Sequence, residues 1–151
     1  MNFVKKGFTL IELLVVISII GILLALSVFG LQGARQSARD ARRKSDLEEI
    51  RSGLEIYKAD CDSYPAALSS QLVGTVDDPS SACSTKNTYI SHVPTDPVTS
   101  DSYPYYPVLA SDGVTYNKYT LCATLEQPPA SPIPTGDCGS CSTCNYEVIN
   151  P

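Results

Sequence analysis

Residues 5–31 read KKGFTLIELLVVISIIGILLALSVFGL, and this stretch decides the fold. From Leu13 to Leu31 the sequence contains no charged residue and no proline. Because an α-helix rises about 1.5 Å per residue, this run covers roughly 28 Å, close to the ~30 Å hydrocarbon thickness of a bilayer. The stretch therefore predicts a helix that crosses a membrane once, preceded by the two lysines of a targeting segment.

Composition divides the 151 residues into unlike parts. All 11 prolines lie at or after Pro65, which separates a helical N-terminal half from a half of loops and strands. The apolar run is longer than an ordinary secretory signal core, and the plausible processing point lies before it, at Gly7. The predicted segments are a leader peptide at 1–7, a transmembrane helix at 8–31, an amphipathic helix at 32–61 and a globular, cysteine-containing head at 62–151.

The helix is predicted to continue beyond the membrane. Leu47, Ile50, Leu54 and Tyr57 recur at helical spacing and form one apolar stripe, while the other faces are charged. Ser45 and Glu48 resemble a capping box, so a break near residue 44 is the alternative to one continuous helix. The stripe predicts that this part of the helix packs on the head.

The head is predicted to contain a short antiparallel sheet. Residues 103–110 (YPYYPVLA) and 114–126 (VTYNKYTLCATLE) flank a Ser-Asp-Gly turn, which is typical of a β-hairpin. The final NYEVIN, residues 145–150, is suited to a short edge strand, whereas residues 66–102 show few strand signals. The fold class is therefore α+β, with one long N-terminal helix packed on a small antiparallel sheet.

Glu12 is the one acid inside the apolar run. An ionised carboxylate in hydrocarbon costs several kcal/mol, so such acids are usually paired. If residues 1–7 are removed, Phe8 gains a charged α-amine, and the amine of a neighbouring subunit can pair with Glu12 and set the register between helices. The alternative is that lipid headgroups solvate Glu12.

All six cysteines lie near or within the head, at Cys61, Cys83, Cys122, Cys138, Cys141 and Cys144. Their even number in a small, loop-rich domain favours disulfides, with Cys61 joined to Cys83 and Cys122 joined to one member of the 138–144 cluster. The double C-x-x-C spacing of CGSCSTC leaves a zinc or iron–sulfur site as the alternative.

Nothing in the sequence indicates catalysis. His92 is the single histidine, and no serine lies in a nucleophile motif. We therefore predict that the chain is not an enzyme, and we predict no cofactor, no bound metal and no specific nucleic-acid partner.

The segment KKGFTLIELLVV, residues 5–16, resembles the class III signal of type IV pilins and of the pseudopilins of type II secretion systems. The resemblance implies cleavage between Gly7 and Phe8 by a prepilin peptidase, N-methylation of Phe8, and contact of Glu12 with the N-terminus of an adjacent subunit. It also implies partners: an inner-membrane assembly platform, the lipid of that membrane before assembly, and copies of the chain itself in a helical filament.

The head is similar to the major pseudopilin pattern at three places, Tyr64-Pro65, the P-T-D-P turn at 94–97 and Tyr103-Pro104-Tyr105. Two departures accompany this similarity. Phe29 stands where the family usually has a helix proline, and a cysteine-rich loop stands where major pseudopilins carry a calcium loop. We therefore do not predict a calcium site in this chain from the resemblance.

The orientation in the membrane is argued from two opposing signals. The basic stretch of residues 35–44 has five basic residues and one acid, which by the positive-inside rule favours a cytoplasmic head. The cysteines and the leader favour an extracytoplasmic head, and we give them more weight. The basic stretch itself is read as a solvated helix face, or as a surface that meets headgroups or acidic neighbours in a filament.

Three functions are consistent with these features. The first is a structural subunit of a type IV pilus-like filament for adhesion, motility or DNA uptake, anchored in the inner membrane and then exported into an extracellular or periplasmic filament. The second is a pseudopilin of a type II secretion system. The third, from another class, is a membrane-anchored cytoplasmic module that binds metal through its cysteines.

Overall fold

A single helix, α1, extends from Leu10 to Cys61 over 52 residues in this computed structural model. The structure describes residues 7–74, 83, 86–130, 138–139 and 141–151. The predicted leader therefore lies outside the described residues except for Gly7. Helix α1 does not break near residue 44, so the prediction of a continuous helix is confirmed and the capping-box alternative is wrong.

The chain divides into two units, one up to Ser37 and one formed by Ala38–Pro151, which we call the N-terminal and C-terminal units. In the N-terminal unit the side chains described from Gly7 to Ser27 are all exposed. Among the described residues, α1 is the one helix whose length and composition would allow it to cross a membrane.

The described residues of the C-terminal unit form two small antiparallel sheets. Strands β1 (Leu72–Val73) and β2 (Thr88–Ile90) form a two-stranded sheet. Strands β3 (Tyr105–Leu109), β4 (Tyr116–Ala123) and β5 (Tyr146–Ile149) form a three-stranded sheet in the order β3-β4-β5. The predicted hairpin and the edge strand near the C-terminus are thus confirmed, and so is the α+β class.

The β3–β4 hairpin closes through the predicted turn. Gly113 adopts φ of 70°, which favours glycine because it has no Cβ. The Asp112 carboxylate accepts hydrogen bonds from the backbone N–H groups of Val114 at 2.9 Å and Thr115 at 3.0 Å. Asp112 therefore stabilises the turn as an Asx residue.

The core lies between the second half of α1 and the two sheets. The predicted stripe of Leu47, Ile50, Leu54 and Tyr57 is at most 1% exposed. Gly53 lies on the same face, and a side chain built there would overlap Cγ1 and Cδ1 of Ile90 in β2. Glycine at this position therefore lets β2 approach the helix closely.

Two features of the head differ from the sequence prediction. In β4, Tyr119, Leu121 and Ala123 alternate with Thr120 and Cys122, which predicts a half-buried strand with one exposed face. The structure instead buries all residues from Tyr119 to Ala123. Cys122, on the face expected to be exposed, is fully buried and forms a disulfide with Cys138, which is buried as well. Strands β1 and β2 were not predicted, since two or three residues are too short to give a periodic pattern.

Candidate functional site

The segment before α1 presents its backbone openly. Gly7 and Phe8 lie outside the helix, and the Phe8 side chain is 83% exposed. Thr9 caps the helix: its Oγ1 accepts a hydrogen bond from the backbone N–H of Glu12 at 3.3 Å. The T-x-x-E spacing is that of a capping box, a signal that the sequence contains and that our sequence analysis missed here. The Gly7–Phe8 peptide bond therefore lies just outside a well-defined helix start.

Glu12 lies in the first turn of α1 and is exposed. A carboxylate there interacts favourably with the positive end of the helix dipole. Glu12 makes no ion pair with any residue that the structure describes. Within one copy of the chain, its charge is thus stabilised by the helix end and not by a described cation.

The two serines in the apolar part of α1 are hydrogen-bonded within the helix itself. Ser18 and Ser27 donate their hydroxyl hydrogen bonds to the carbonyls of Leu14 and Leu23, each at 2.8 Å. An unpaired hydroxyl would be costly in hydrocarbon, and these bonds remove that cost without a partner from another helix. Lipid and the helices of other subunits are both compatible with this surface.

A charged cluster in the C-terminal unit holds two loops against α1. It consists of Arg39, Asp40, Arg43, Asp96 and Glu126. Arg43 is 4% exposed and contacts Asp96 from Nε at 2.6 Å and from Nη2 at 3.3 Å. Its Nη1 donates to Asp40 at 2.8 Å and to Glu126 at 3.2 Å, so one buried guanidinium meets three carboxylates.

The carboxylates of this cluster also accept further hydrogen bonds. Glu126 accepts two hydrogen bonds from Arg39, from Nε and Nη2, each at 2.5 Å. The Asp40 carboxylate accepts the backbone N–H groups of Glu126 at 2.9 Å and Gln127 at 2.8 Å. Buried charges are stable only when paired and hydrogen-bonded in this way. The cluster thereby fixes the segment after β4 on the helix.

The electrostatics of the cluster follow from its hydrogen bonds. The Arg43 guanidinium lowers the pKa of Asp96 to about 2, and the backbone N–H groups of Val98 and Thr99 act in the same direction. Hydrogen bonds from Arg39 lower the pKa of Glu126 to about 2. The three carboxylates in turn raise the pKa of Arg43. Asp96, Glu126 and Arg43 are therefore all charged near neutral pH.

The tyrosine-containing pattern of the head also serves to join it to α1. The Tyr103 hydroxyl donates to the Asp46 carboxylate at 2.9 Å in a buried position. Tyr64 and Tyr119 both donate to Glu55, at 3.0 and 3.1 Å. With Asp96 in the P-T-D-P turn, each of the three pattern positions thus has a described contact that connects it to the helix.

The structure pairs the cysteines in three disulfides, Cys61–Cys83, Cys122–Cys138 and Cys141–Cys144. The first two match the pairing favoured from the sequence. No cysteine is left free, so the thiolates that the zinc or iron–sulfur alternative requires are not present in this state. His92 is exposed, as a surface loop residue should be.

The basic stretch is where sequence reasoning missed most. The sequence predicts a solvated helix face, or a surface that meets headgroups or acidic neighbours in a filament, but Arg43 is buried and Arg39 is bonded to Glu126. The signal was present: Arg39 and Arg43 precede Leu47 at spacings of four, so they continue the buried stripe. Arg35, Arg42 and Lys44 are exposed, as predicted.

Comparison with known proteins gives two family matches and a set of relatives. Residues 3–28 match the prokaryotic N-terminal methylation motif, and residues 31–123 match the type II secretion system protein G family. The chain is 36% identical over 96 residues to type II secretion system core protein G of Escherichia coli K12, which covers 62% of this chain and 66% of that relative, just under two thirds.

Two further relatives carry the same name. The core protein G of Klebsiella pneumoniae is 37% identical over 101 residues, covering 64% of this chain and 71% of the relative. That of Vibrio cholerae is 31% identical over 121 residues, covering 79% and 81%. No solved structure matches the chain significantly. The matched regions include α1, the charged cluster up to Asp96 and strands β1 to β4.

Proposed function

Because this chain belongs to the type II secretion system protein G family, we propose that it is a pseudopilin, a structural subunit that assembles into the periplasmic filament of a type II secretion system. The family favours this function over the first of the predicted functions, a type IV pilus-like filament for adhesion, motility or DNA uptake. Leader processing and assembly through the N-terminal helix are expected of type IV pilins and of pseudopilins alike, so these features do not distinguish the two.

The observation that carries the proposal is the uncovered apolar helix surface. From Phe8 to Leu26 the large apolar side chains that the structure describes as exposed range from 45% for Val16 to 83% for Phe8. Exposure of so large an apolar area to water is too unfavourable for a stable soluble monomer, so lipid or other subunits must cover it. Lipid covers it before assembly, and the helices of other copies cover it in the filament.

The leader is proposed to be removed between Gly7 and Phe8. This peptide bond is exposed and lies two residues before the capped start of α1, so a membrane peptidase can bind the chain in extended form without unwinding the helix. Cleavage produces the α-amine of Phe8, which is then methylated. The remaining helix stays in the membrane as the anchor of the mature chain.

Glu12 is proposed to set the register between subunits. It lies one turn into the helix, its charge has no described partner, and the Phe8 amine of an axially displaced neighbour carries the opposite charge. Attraction between the two grows as water is excluded from the forming filament. A pair of charges buried in an apolar bundle is stable in only one alignment, which is the property a filament step requires.

The C-terminal unit is proposed to face the extracytoplasmic side. Three disulfides suit an oxidising compartment. The basic stretch opposed this orientation, but two of its arginines are committed to Asp96 and Glu126 and do not present free positive charge at the membrane. The predicted segments 1–7, 8–31, 32–61 and 62–151 then correspond to leader, filament core, connecting helix and head.

Deletion of the gene in its source organism tests the function. A pseudopilin should be required for export of secreted proteins, while surface adhesion and twitching motility remain normal. The opposite pattern, normal export with loss of surface filaments, would favour the pilus. Intact mass of the chain from membranes is the companion measurement: a start at Phe8 with one added methyl group supports processing, and retention of residues 1–7 on a functional chain contradicts it.

A further inference from the structure

The three disulfides differ in how open they are to solvent. Cys61, Cys83, Cys122 and Cys138 are at most 4% exposed, whereas Cys141 and Cys144 are both half-buried. Exchange between a thiolate and a disulfide requires access to a sulfur atom. In the folded chain, a reagent can therefore reach the Cys141–Cys144 pair directly and reaches the other two only after the structure opens.

The open disulfide lies in a groove and not on a flat surface. Cys141, Thr143 and Cys144 line one part of an open groove of about 730 Å³ in the C-terminal unit, and Arg39, Thr124 and Glu126 are among the residues that line it with them. A groove of this volume is in the size range of sites that bind small molecules or short extended segments. The two sulfurs are thus placed where the tip of another protein can contact them.

The hydrogen bonds around the pair distinguish its two sulfurs. Thr143 Oγ1 lies 3.9 Å from Cys141 Sγ and 3.3 Å from Thr124 Oγ1. Thr124 can donate to Thr143 while Thr143 donates to the sulfur, and a donor near a thiolate stabilises its charge. Cys141 is therefore the better leaving thiolate, and Cys144 is the sulfur expected to be attacked.

Other contacts hold the segments on both sides of this disulfide. Asn145 holds the following strand by donating from Nδ2 to the Leu125 carbonyl at 2.8 Å and by accepting from the Leu125 N–H at 2.7 Å. On the other side, Cys138 is bonded to Cys122 in β4. Cys141–Cys144 spans a sequence separation of only 3, against 16 and 22 for the other two, and short loops add the least stability to a fold.

We propose that Cys141–Cys144 is a thiol–disulfide exchange site for a dithiol oxidoreductase of the extracytoplasmic space. A thiolate of the reductant bonds to Cys144 Sγ, the Cys144–Cys141 bond breaks, and its electron pair leaves on Cys141 Sγ. The second thiolate of the reductant then attacks the mixed disulfide and releases Cys144. Two electrons pass to the cysteine pair, which gains two protons as thiols, and the reductant leaves as its own disulfide.

This proposal goes beyond filament assembly and does not require it. The test uses the mature full-length chain in detergent micelles, a purified thioredoxin as the dithiol, alkylation of the thiols formed, and mapping of the alkyl groups by mass spectrometry. We expect two alkyl groups, on Cys141 and Cys144, to appear at least ~10-fold faster than any on the buried cysteines, with unchanged circular dichroism. Absence of these thiols, or equal rates at all three disulfides, would overturn the proposal.

Two variants sharpen the test. A thioredoxin whose resolving cysteine is replaced by serine should become trapped on Cys144, and trapping on Cys141 would overturn the assignment of the leaving sulfur. Thr143→Val should slow the reduction by about threefold or more, since the donor to Cys141 is lost. Thr143→Ser, which keeps the hydroxyl, is the matched control and should retain the original rate, and an equal slowing in both variants would contradict the role of the hydroxyl.

Discussion

Arg43 and Asp96 are joined by two hydrogen bonds, from Nε to Oδ2 at 2.6 Å and from Nη2 to Oδ1 at 3.3 Å, although 53 residues separate them in the sequence. Asp96 also accepts the backbone N–H groups of Val98 and Thr99, at 2.8 and 3.1 Å. One carboxylate thus closes the P-T-D-P turn and holds it on α1. The turn is part of the family resemblance, and this contact explains physically why an aspartate serves at its third position.

Replacing Arg43 by methionine should strongly destabilise the C-terminal unit. The variant leaves Asp40, Asp96 and Glu126 without their shared cation, and breaking a buried ion pair from one side costs about 3–5 kcal/mol. The free energy of unfolding in urea, measured on the mature chain in detergent, checks this. Arg42→Met is the matched control, because Arg42 is exposed, and its unfolding free energy should change by less than about 0.5 kcal/mol. Equal losses in both variants would contradict the role of the cluster.

Acid should weaken the fold through the same contact. The pKa of Asp96 is about 2 in the folded chain and about 3.9 in an unfolded one. Because the folded pKa is the lower one, the stabilisation is present above about pH 4 and is lost as the pH falls towards 2; it amounts to about 2–3 kcal/mol. In Asp96→Asn, the free energy of unfolding, measured in urea at several pH values between 2 and 4, should change less steeply with pH than in the original chain. The same pH dependence of the unfolding free energy in both chains would show that Asp96 does not titrate in this way.

Close packing at Gly53 is testable by a double-mutant cycle. Gly53→Ala should gain up to about 1 kcal/mol of helix propensity but lose more, about 1–3 kcal/mol, because the new methyl group overlaps Ile90. In the Ile90→Ala background the space is free, so the same change should be neutral or stabilising. The unfolding free energies of the four chains give the coupling, and additive values would contradict the contact.

The parts of the fold with a strong periodic signal could be predicted from the sequence. The long apolar run, the Leu47 to Tyr57 stripe and the hairpin around Asp112-Gly113 each repeat one pattern long enough to be read. Strands β1 and β2 could not be read, because Leu72–Val73 and Thr88–Ile90 are held by packing against α1 and carry no pattern of their own.

The candidate site divides in the same way. Glu12 is conspicuous because an acid in an apolar run is rare, so local sequence suffices to find it. Arg43 is not, because an arginine in a basic stretch normally lies in solvent, and its three carboxylates come from positions as far away as Asp96 and Glu126. Only the tertiary fold brings these charges together.

Alkaline pH should destabilise the head through its tyrosines. Burial is the main cause that raises the pKa of Tyr64, Tyr103, Tyr105 and Tyr119, and the carboxylates of Glu55 and Asp46 add to it for three of them. Because their folded pKa values exceed the unfolded value of about 10, their contribution to stability is present below pH 10 and is lost as the pH rises above it.

Tyrosinate absorbance measures this directly. The chain has 9 tyrosines, and we expect Tyr64, Tyr103, Tyr105 and Tyr119 to ionise as a late group well above pH 10, together with loss of the near-ultraviolet circular dichroism. Tyr103→Phe should remove one tyrosine from the late phase. Ionisation of all nine in one step on a chain that stays folded would contradict the assignment.

Filament assembly should depend on the charge of Glu12. Glu12→Ala should leave leader removal intact, because the Gly7–Phe8 bond lies outside the helix, yet it should reduce filaments by about tenfold or more, because the subunit can no longer pair with a neighbouring Phe8 amine. Glu12→Gln keeps the size of the side chain and removes only the charge, so it should fail in the same way if charge sets the register. Intact mass reports processing, and electron microscopy of sheared filaments reports assembly.

Coexpression separates this pairing from a general defect of the helix. The Glu12→Ala subunit still carries its own α-amine, which can pair with the Glu12 of an unaltered neighbour. It should therefore enter mixed filaments with unaltered chains, although it forms few filaments alone. A variant with a damaged helix would be excluded both from filaments of its own and from mixed filaments. Normal filaments from Glu12→Ala alone would show that the acid does not set the step between subunits, and exclusion from mixed filaments would show that its role lies within its own helix.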